Sequence, residues 1–237
     1  MRFTDTESYF VSEASVYRLL KAHDLITSPA FIVMKAADVF KDKITAPNQL
    51  WQTDFTYLKV AGRGWFYLST VLDDFSRYIV AWKLCTTMAA SDVTDTLNLA
   101  LQASGLEQVA VVNRPRLLSD NGPCYVSGEL AQWLKRERMR HTRGASFHPM
   151  TQGKIERWHQ TLKNRILLGH YYLPDDLEAE IAAFVDHYNT RRYHESLDNL
   201  TPADVYTGRG DAIRIERQRI KRQTLLHRRL QHIQHAA

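Results

Sequence analysis

Three acidic residues occupy positions where an acid needs a reason to be. Asp54 lies inside the run LWQTDFTYLKV, whose aromatic and β-branched residues predict a strand. Aspartate is disfavoured on such a half-buried surface, and its burial while charged calls for a compensating cation. Asp120 closes the short apolar run RLLSD just before Asn121-Gly122-Pro123, at the carboxyl end of a predicted strand. Glu156 is the sole acid in TQGKIERWHQTLKNR, among Lys154, Arg157, Lys163 and Arg165. Taken singly, Asp120 reads equally as a turn-forming residue, and Glu156 as half of a helix ion pair worth a few tenths of a kcal/mol. Taken together, three carboxylates that met in space would repel one another unless divalent cations lay between them. Oxygen-only ligands with room left for a substrate phosphate are what Mg2+ prefers.

The elements that would bring these acids together follow from hydrophobic spacing. LWQTDFTYLKV, GWFYLSTVLDD and RYIVAWKLC, separated by AGRG and DDFS, predict an antiparallel meander of three strands. SDVTDTLNLALQAS predicts an amphipathic helix with Val93, Leu97, Ala100 and Leu101 on one face; RLLSD is a buried strand, SGELAQWLKRERM a helix and HTRGAS a further short strand. In the helix that opens near Gly153, Ile155, Trp158, Leu162 and Ile166 form the core-facing stripe. Glu156 sits on the border of that stripe, with Gln160 and then Lys163 along the same flank. Trp158 belongs to the stripe and reads as packing. Residues 175 to 192 predict another helix, with Leu177, Ile181, Phe184 and Tyr188 in line. Strands and helices in this order give a mixed α/β fold with a central sheet.

At the ends, SEASVYRLLKAHDLI predicts a short helix with Ser12 as N-cap, followed by a linker, and the segment from Gly208 is a strongly basic helical tail. The organisation is thus 1–44, helix plus linker; 45–207, a core; and 208–237, the tail. A hydrophobic content of 44%, a formal charge of +5 and a pI near 9.2 fit a folded protein and lean toward a polyanionic partner. Neither a signal peptide nor a run long enough to cross a bilayer is evident, which places the expected setting in the cytoplasm or nucleoid. Cys85 and Cys124, far apart, are expected as plain thiols. Asp73 and Asp74 read as turn acids and stay outside the expected metal set.

WQTDFTYL, LLSDNG and HPMTQGKIERWHQTLK, with LDDFSRYIVAW between the first two and HYNTRRYHESL and TPADVY after the third, resemble the catalytic core of DDE transposases and retroviral integrases. The 35 residues between Asp120 and Glu156 match that pattern, and the likeness extends over about residues 45 to 207. Within the family the chain is most similar to the long-frame (OrfB-type) transposase of two-frame bacterial insertion sequences. It departs from the pattern at Met150, where Gln is usual, and at Pro123-Cys124, where small polar residues are commoner.

The resemblance implies an RNase H-like fold and metal-dependent phosphoryl transfer on DNA. Two Mg2+ ions, replaceable by Mn2+, would bracket the scissile phosphate roughly 3.5 to 4 Å apart, with Asp54 bridging them and Asp120 and Glu156 completing one shell each. Lys163 is the expected contact for a DNA phosphate, and Lys154, Arg157 and His159 are weaker ones. Lys154 and Arg157 serve equally well as solvated cations and His159 as a partly buried histidine. Tyr188, Asn189, Arg192 and His194 match the family pattern with no evident physical role. The first helix resembles the last helix of a helix-turn-helix, so the upstream-frame subunit or a fusion to it is an expected partner. The other expected partners are the element's terminal repeats, target DNA and further copies of the chain on DNA. The expected activity is cleavage at element ends and joining of the 3′-OH to DNA. A catalytically silent DNA-binding regulator is the alternative, and a metal-dependent nuclease a third reading.

Overall fold

The computed structural model describes residues 1–23, 25, 44–108, 114–144 and 152–236. The linker expected after the first helix lies almost wholly outside the described residues, as does Met150. Contacts divide the chain into two units, one of residues 38–206 and one made from residues 1–37 and 207–237. Sequence reading keeps the two ends apart as separate pieces; their contacts place them in one unit.

The larger unit is built on a mixed sheet of five strands, β1 (Leu50–Val60), β2 (Gly64–Asp73), β3 (Ile79–Cys85), β4 (Arg116–Ser119) and β5 (His141–Arg143), in the order β3-β2-β1-β4-β5. The expected meander is present: β1 pairs antiparallel with β2, and β2 with β3. Its first turn is tight because Gly62 and Gly64 adopt φ of 71° and 95°, a backbone region costly for other residues. Its second turn is organised by Asp73, whose Oδ1 accepts hydrogen bonds from the Ser76 amide at 2.8 Å and hydroxyl at 2.6 Å. Asp73 is therefore the turn acid that the sequence suggests; burial raises its pKa, while those hydrogen bonds pull it down.

Strands β4 and β5 run parallel to β1, so the chain must cross over between them, and helices make those crossings. In this unit α3 (Ala90–Ala103) and α4 (Gly128–Arg136) enter one hydrophobic cluster, with Trp51, Val71, Leu117 and Trp133. Helices α5 (Gly153–Ile166) and α6 (Pro174–Thr190) enter a second, with Leu58, Leu68, Leu72 and Ile155. A fifth, short helix α7 (Pro202–Tyr206) follows. Alternation along β1 explains the separation: Trp51 and Phe55 belong to the first cluster, Leu58 and Val60 to the second. The Trp158 ring is buried against Phe184 at 5.6 Å and edge-on to Tyr188 at 4.5 Å, so it packs, as its stripe predicts. Cys85 and Cys124 are free thiols, and burial pushes Cys85 up to about 12.

The smaller unit contains α1 (Arg2–Glu7), α2 (Glu13–Ala22) and the long α8 (Gly210–Ala236). Ser12 caps α2, its hydroxyl accepting from the Ser15 amide at 3.1 Å. Basic residues of α8 are used inside the unit. Arg217 grips Asp5 through two hydrogen bonds of 2.7 and 2.6 Å. Arg228 donates to the Tyr9 hydroxyl and the Phe10 carbonyl at 2.8 Å each. Thr224 Oγ1 accepts from the Phe10 amide at 3.1 Å. Among the described residues no helix is long and apolar enough to cross a membrane.

Candidate functional site

Asp54 and Asp120 reach the same level of the sheet through strand register. Leu50, Trp51 and Gln52 of β1 stand opposite Arg116, Leu117 and Leu118 of β4. Continuing that register by two residues puts Asp54 level with Asp120, the first residue after β4. Parallel strands place ligand-binding residues at such carboxyl ends. The two acids also share neighbours. Burial raises the Tyr125 hydroxyl well above its ordinary pKa, and the charges of Asp54 and Asp120 add to the shift. Cys124 is raised by burial first and then by the same two acids.

Asp54 is half-buried, with its Oδ1 accepting the Phe55 amide at 2.8 Å. Its Oδ2 lies 3.5 Å from Nδ1 of the buried His159. Asp120 is exposed and shaped by its own turn, Oδ1 accepting the Gly122 amide at 2.8 Å. The carboxylate lies so close to that turn that a Cβ on Gly122 would meet Oδ1 at 3.0 Å. Asn121 fixes the next step by donating from Nδ2 to the Gly144 carbonyl at 2.9 Å, joining the ends of β4 and β5.

Glu156 is exposed in the first turn of α5, its carboxylate without a hydrogen-bond partner among the described residues. The turn that carries it is anchored to β1. Gln52 Oε1 accepts the Ile155 amide at 3.1 Å, and Gln152 donates from Nε2 to the Thr53 carbonyl at 3.4 Å. The other end of the Gln52 amide donates to Asp74 Oδ1 at 2.7 Å. Lys154 Nζ binds Asp74 at both Oδ2, 2.7 Å, and the carbonyl, 2.8 Å. His159, one helical turn beyond Glu156, reaches Asp54, so the first two turns of α5 lie along Gln52–Asp54.

Among the described residues, no three His, Cys, Asp or Glu side chains stand close enough as placed to hold a metal ion. The donor chemistry nevertheless suits Mg2+: three carboxylates, of which Glu156 is unengaged and Asp120 keeps Oδ2 without a hydrogen bond among the described residues.

The four expected DNA contacts separate. Lys163 is half-buried with Nζ 4.0 Å from the centre of the Tyr57 ring, and Arg157 is exposed. Lys154 is spent on Asp74, and His159 is buried against Asp54. Sequence reasoning missed Gln52, Asp74 and Tyr57. Gln52 carried a signal, a polar residue inside a buried strand on the same face as Asp54.

The residues past α5 gain physical roles. Asn189 pairs with the backbone of β3, its Oδ1 accepting the Ile79 amide at 2.9 Å and its Nδ2 donating to the Ile79 carbonyl at 3.0 Å. Arg192 lies 5.8 Å over the Tyr188 ring, and the His194 ring meets Tyr188 edge-on at 5.0 Å. Burial, aided by Arg192, Arg77 and Arg157, pushes His194 from 6.5 down to about 4. A histidine depressed in the fold is neutral there and protonates more readily when unfolded. Its contribution is therefore whole above about 6.5 and is lost as pH falls toward about 4. The thermal midpoint is expected to drop between about pH 7 and about pH 5, and His194→Gln to reduce that drop. An unchanged pH profile in the variant would remove His194 as a cause.

Comparison with known proteins agrees with this architecture. A family model described as Integrase core domain matches residues 44–149, and a second of the same description matches 137–202. The transposase for insertion sequence element IS904 of Lactococcus lactis is 31% identical over 166 residues, 68% of this chain and 62% of that protein. Transposase InsF for insertion sequence IS3A of Escherichia coli is 28% identical over 160 residues, 67% of this chain and 54% of that protein. The chain thus spans little more than half the length of these relatives. Among solved structures, the HTLV-2 integrase catalytic core domain in complex with magnesium superposes with a TM-score of 0.51 at 22% identity, over 68% of this chain and 97% of that one. A simian T-cell lymphotropic virus intasome chain gives 0.59 at 20% identity, over 85% of this chain and 68% of that one. The mixed sheet flanked by helices is the RNase H-like fold of these cores. The chain belongs to the DDE transposase and integrase family, with an integrase core domain of the kind carried by OrfB-type insertion-sequence transposases.

Proposed function

We propose that this chain is the catalytic part of a bacterial insertion-sequence transposase, which cuts DNA at the element's ends and joins the freed strand to target DNA. In the first reaction water adds to the scissile phosphate and a 3′-OH leaves. In the second that 3′-OH forms the new phosphodiester and the target's own 3′ oxygen departs. The observation that carries this reading is the register that sets Asp54 level with Asp120, beside the first turn of α5 with Glu156.

Asp54, Asp120 and Glu156 would hold two Mg2+ ions, with Mn2+ as a substitute. Bound there, such ions activate the attacking oxygen and stabilise the leaving one. The protein's own share is positioning. His159 and the Phe55 amide fix the Asp54 carboxylate, Gln52 and Asp74 hold the first turn of α5, and Lys163 offers its charge to a DNA phosphate. Arg157 is a second, exposed cation for the same strand. In the same reading the partners are the terminal repeats, target DNA, other copies of the chain and the upstream-frame product or a fusion to it. The setting is the nucleoid.

The test incubates the chain, alone and fused to the upstream frame, with a duplex ending in the element's terminal repeat plus Mg2+ or Mn2+. The expected products are a 3′-cleaved strand and a strand-transfer product. Binding without cleavage in both forms would favour a silent regulator. Cleavage without joining would favour a nuclease.

A further inference from the structure

The hairpin of β1 and β2 carries a surface that the acidic site leaves unused. Residues 55–72 contain Lys59 and Arg63 and not one Asp or Glu. Cross-strand partners share a face of a sheet, and register pairs Tyr57 with Tyr67 and Lys59 with Trp65. The Tyr57 and Trp65 side chains are large and apolar, yet 57% and 52% exposed. Their rings meet edge to face at 5.4 Å. Lys163 Nζ lies 4.0 Å from the Tyr57 ring centre, and Lys59 Nζ lies 5.8 Å from that of Trp65. Lys163, Tyr57, Trp65 and Lys59 thus form one continuous row, cation, ring, ring, cation. Behind it the turn is secured by the Ala61 amide, which donates to the Tyr171 carbonyl at 2.8 Å.

A cross-strand aromatic pair also stabilises a hairpin, by about 0.2–1 kcal/mol. Hairpin stability accounts for the contact between the rings. It leaves unexplained why both are half in water, why a cation closes each end, and why the stretch from 55 to 72 lacks acids.

We propose that this row is a binding site for an unpaired stretch of DNA, with a base stacked on Trp65 and the flanking phosphates on Lys59 and Lys163. Aromatic faces between cations match the alternation of base and phosphate along a single strand, and stacking of this kind tolerates any sequence. Tyr57 fixes the Lys163 ammonium through its ring and is a positioning residue. The row begins three residues beyond Asp54, about 10 Å along the strand and, by alternation, on its other face; Lys163 links it to α5, the helix that carries Glu156. The inference rests on the function proposed above, since it supposes that strand ends come apart near the site.

The test measures binding of a short fluorescent oligothymidylate, and of a duplex of equal length, to the full chain in EDTA, where no cleavage occurs. Trp65→Ala is expected to weaken oligothymidylate binding by about tenfold or more, the value of one stacked base, while duplex binding changes by less than about twofold. Trp65→Phe retains most of the affinity. Lys59→Ala lowers the salt dependence by about one phosphate contact. Oligothymidylate binding that Trp65→Ala leaves intact, or equal losses for both ligands, would overturn the site. The two readings fail separately: a parent chain that never cleaves element ends sinks the transposase, whereas unaltered single-strand binding by Trp65→Ala in a chain that does cleave sinks the row alone.

Discussion

Asp54→Asn is expected to lower both strand cleavage and joining by about a thousandfold or more, and Asp120→Asn and Glu156→Gln to do the same. A bound divalent ion supplies several kcal/mol of transition-state stabilisation, and each ~1.4 kcal/mol is a factor of ten in rate. The first substitution keeps the local backbone contact, because the carbonyl oxygen of the new side-chain amide still accepts the Phe55 amide where Asp54 Oδ1 did, and changes only the weaker approach of His159 to Oδ2. DNA affinity should survive, since it depends on Lys and Arg rather than on the acids. Residues that act as one unit do not lose activity additively, so the double variant of Asp54 and Asp120 should be little worse than either single one. Joining at the parental rate by any of the three single variants, in a gel assay with end-labelled duplex, would remove that acid from the site.

Gln52→Leu is expected to destabilise the larger unit by about 2–6 kcal/mol, the sum of two buried polar groups losing their partners at about 1–3 kcal/mol each. The groups are the Ile155 amide and Asp74 Oδ1, both bonded to the one buried Gln52 amide. Activity should fall as well, because the tie between β1 and the turn carrying Glu156 is cut. Chemical denaturation gives the first quantity, and faster hydrogen exchange at the Ile155 amide gives the cause. A loss below about 1 kcal/mol would mean that water replaces Gln52 at no great cost and that α5 is held by its apolar stripe alone.

The elements were legible from sequence where their signal is local. Runs of aromatic and β-branched residues between turn signals gave β1 to β3, and the Ile155, Trp158, Leu162 and Ile166 stripe gave the buried face of α5. Site geometry was legible only in part. The place of Asp54 inside a strand and of Asp120 at a strand's end was legible, but the partners of Lys154 and His159 were not. Lys154 meets Asp74 across 80 residues, and no periodicity records such a pairing. The sequence therefore shows a basic residue beside a candidate site but not the carboxylate with which it pairs. Asn189 is similar: its amide completes the backbone hydrogen bonding of β3 across 110 residues, a role that only the folded strand can reveal.

The pairing of Asp5 with Arg217 joins residues 212 apart in the chain. During synthesis at roughly 5–20 residues per second, Asp5 leaves the ribosome about 10 to 40 s before Arg217 exists. Throughout that interval Tyr9 and Phe10 also lack Arg228, and the integrase core is translated in full. The smaller unit must therefore be assembled after the integrase core has been translated, from segments made on either side of it. A nascent chain halted before α8 should leave residues 1–10 open to proteases that spare them once α8 is present.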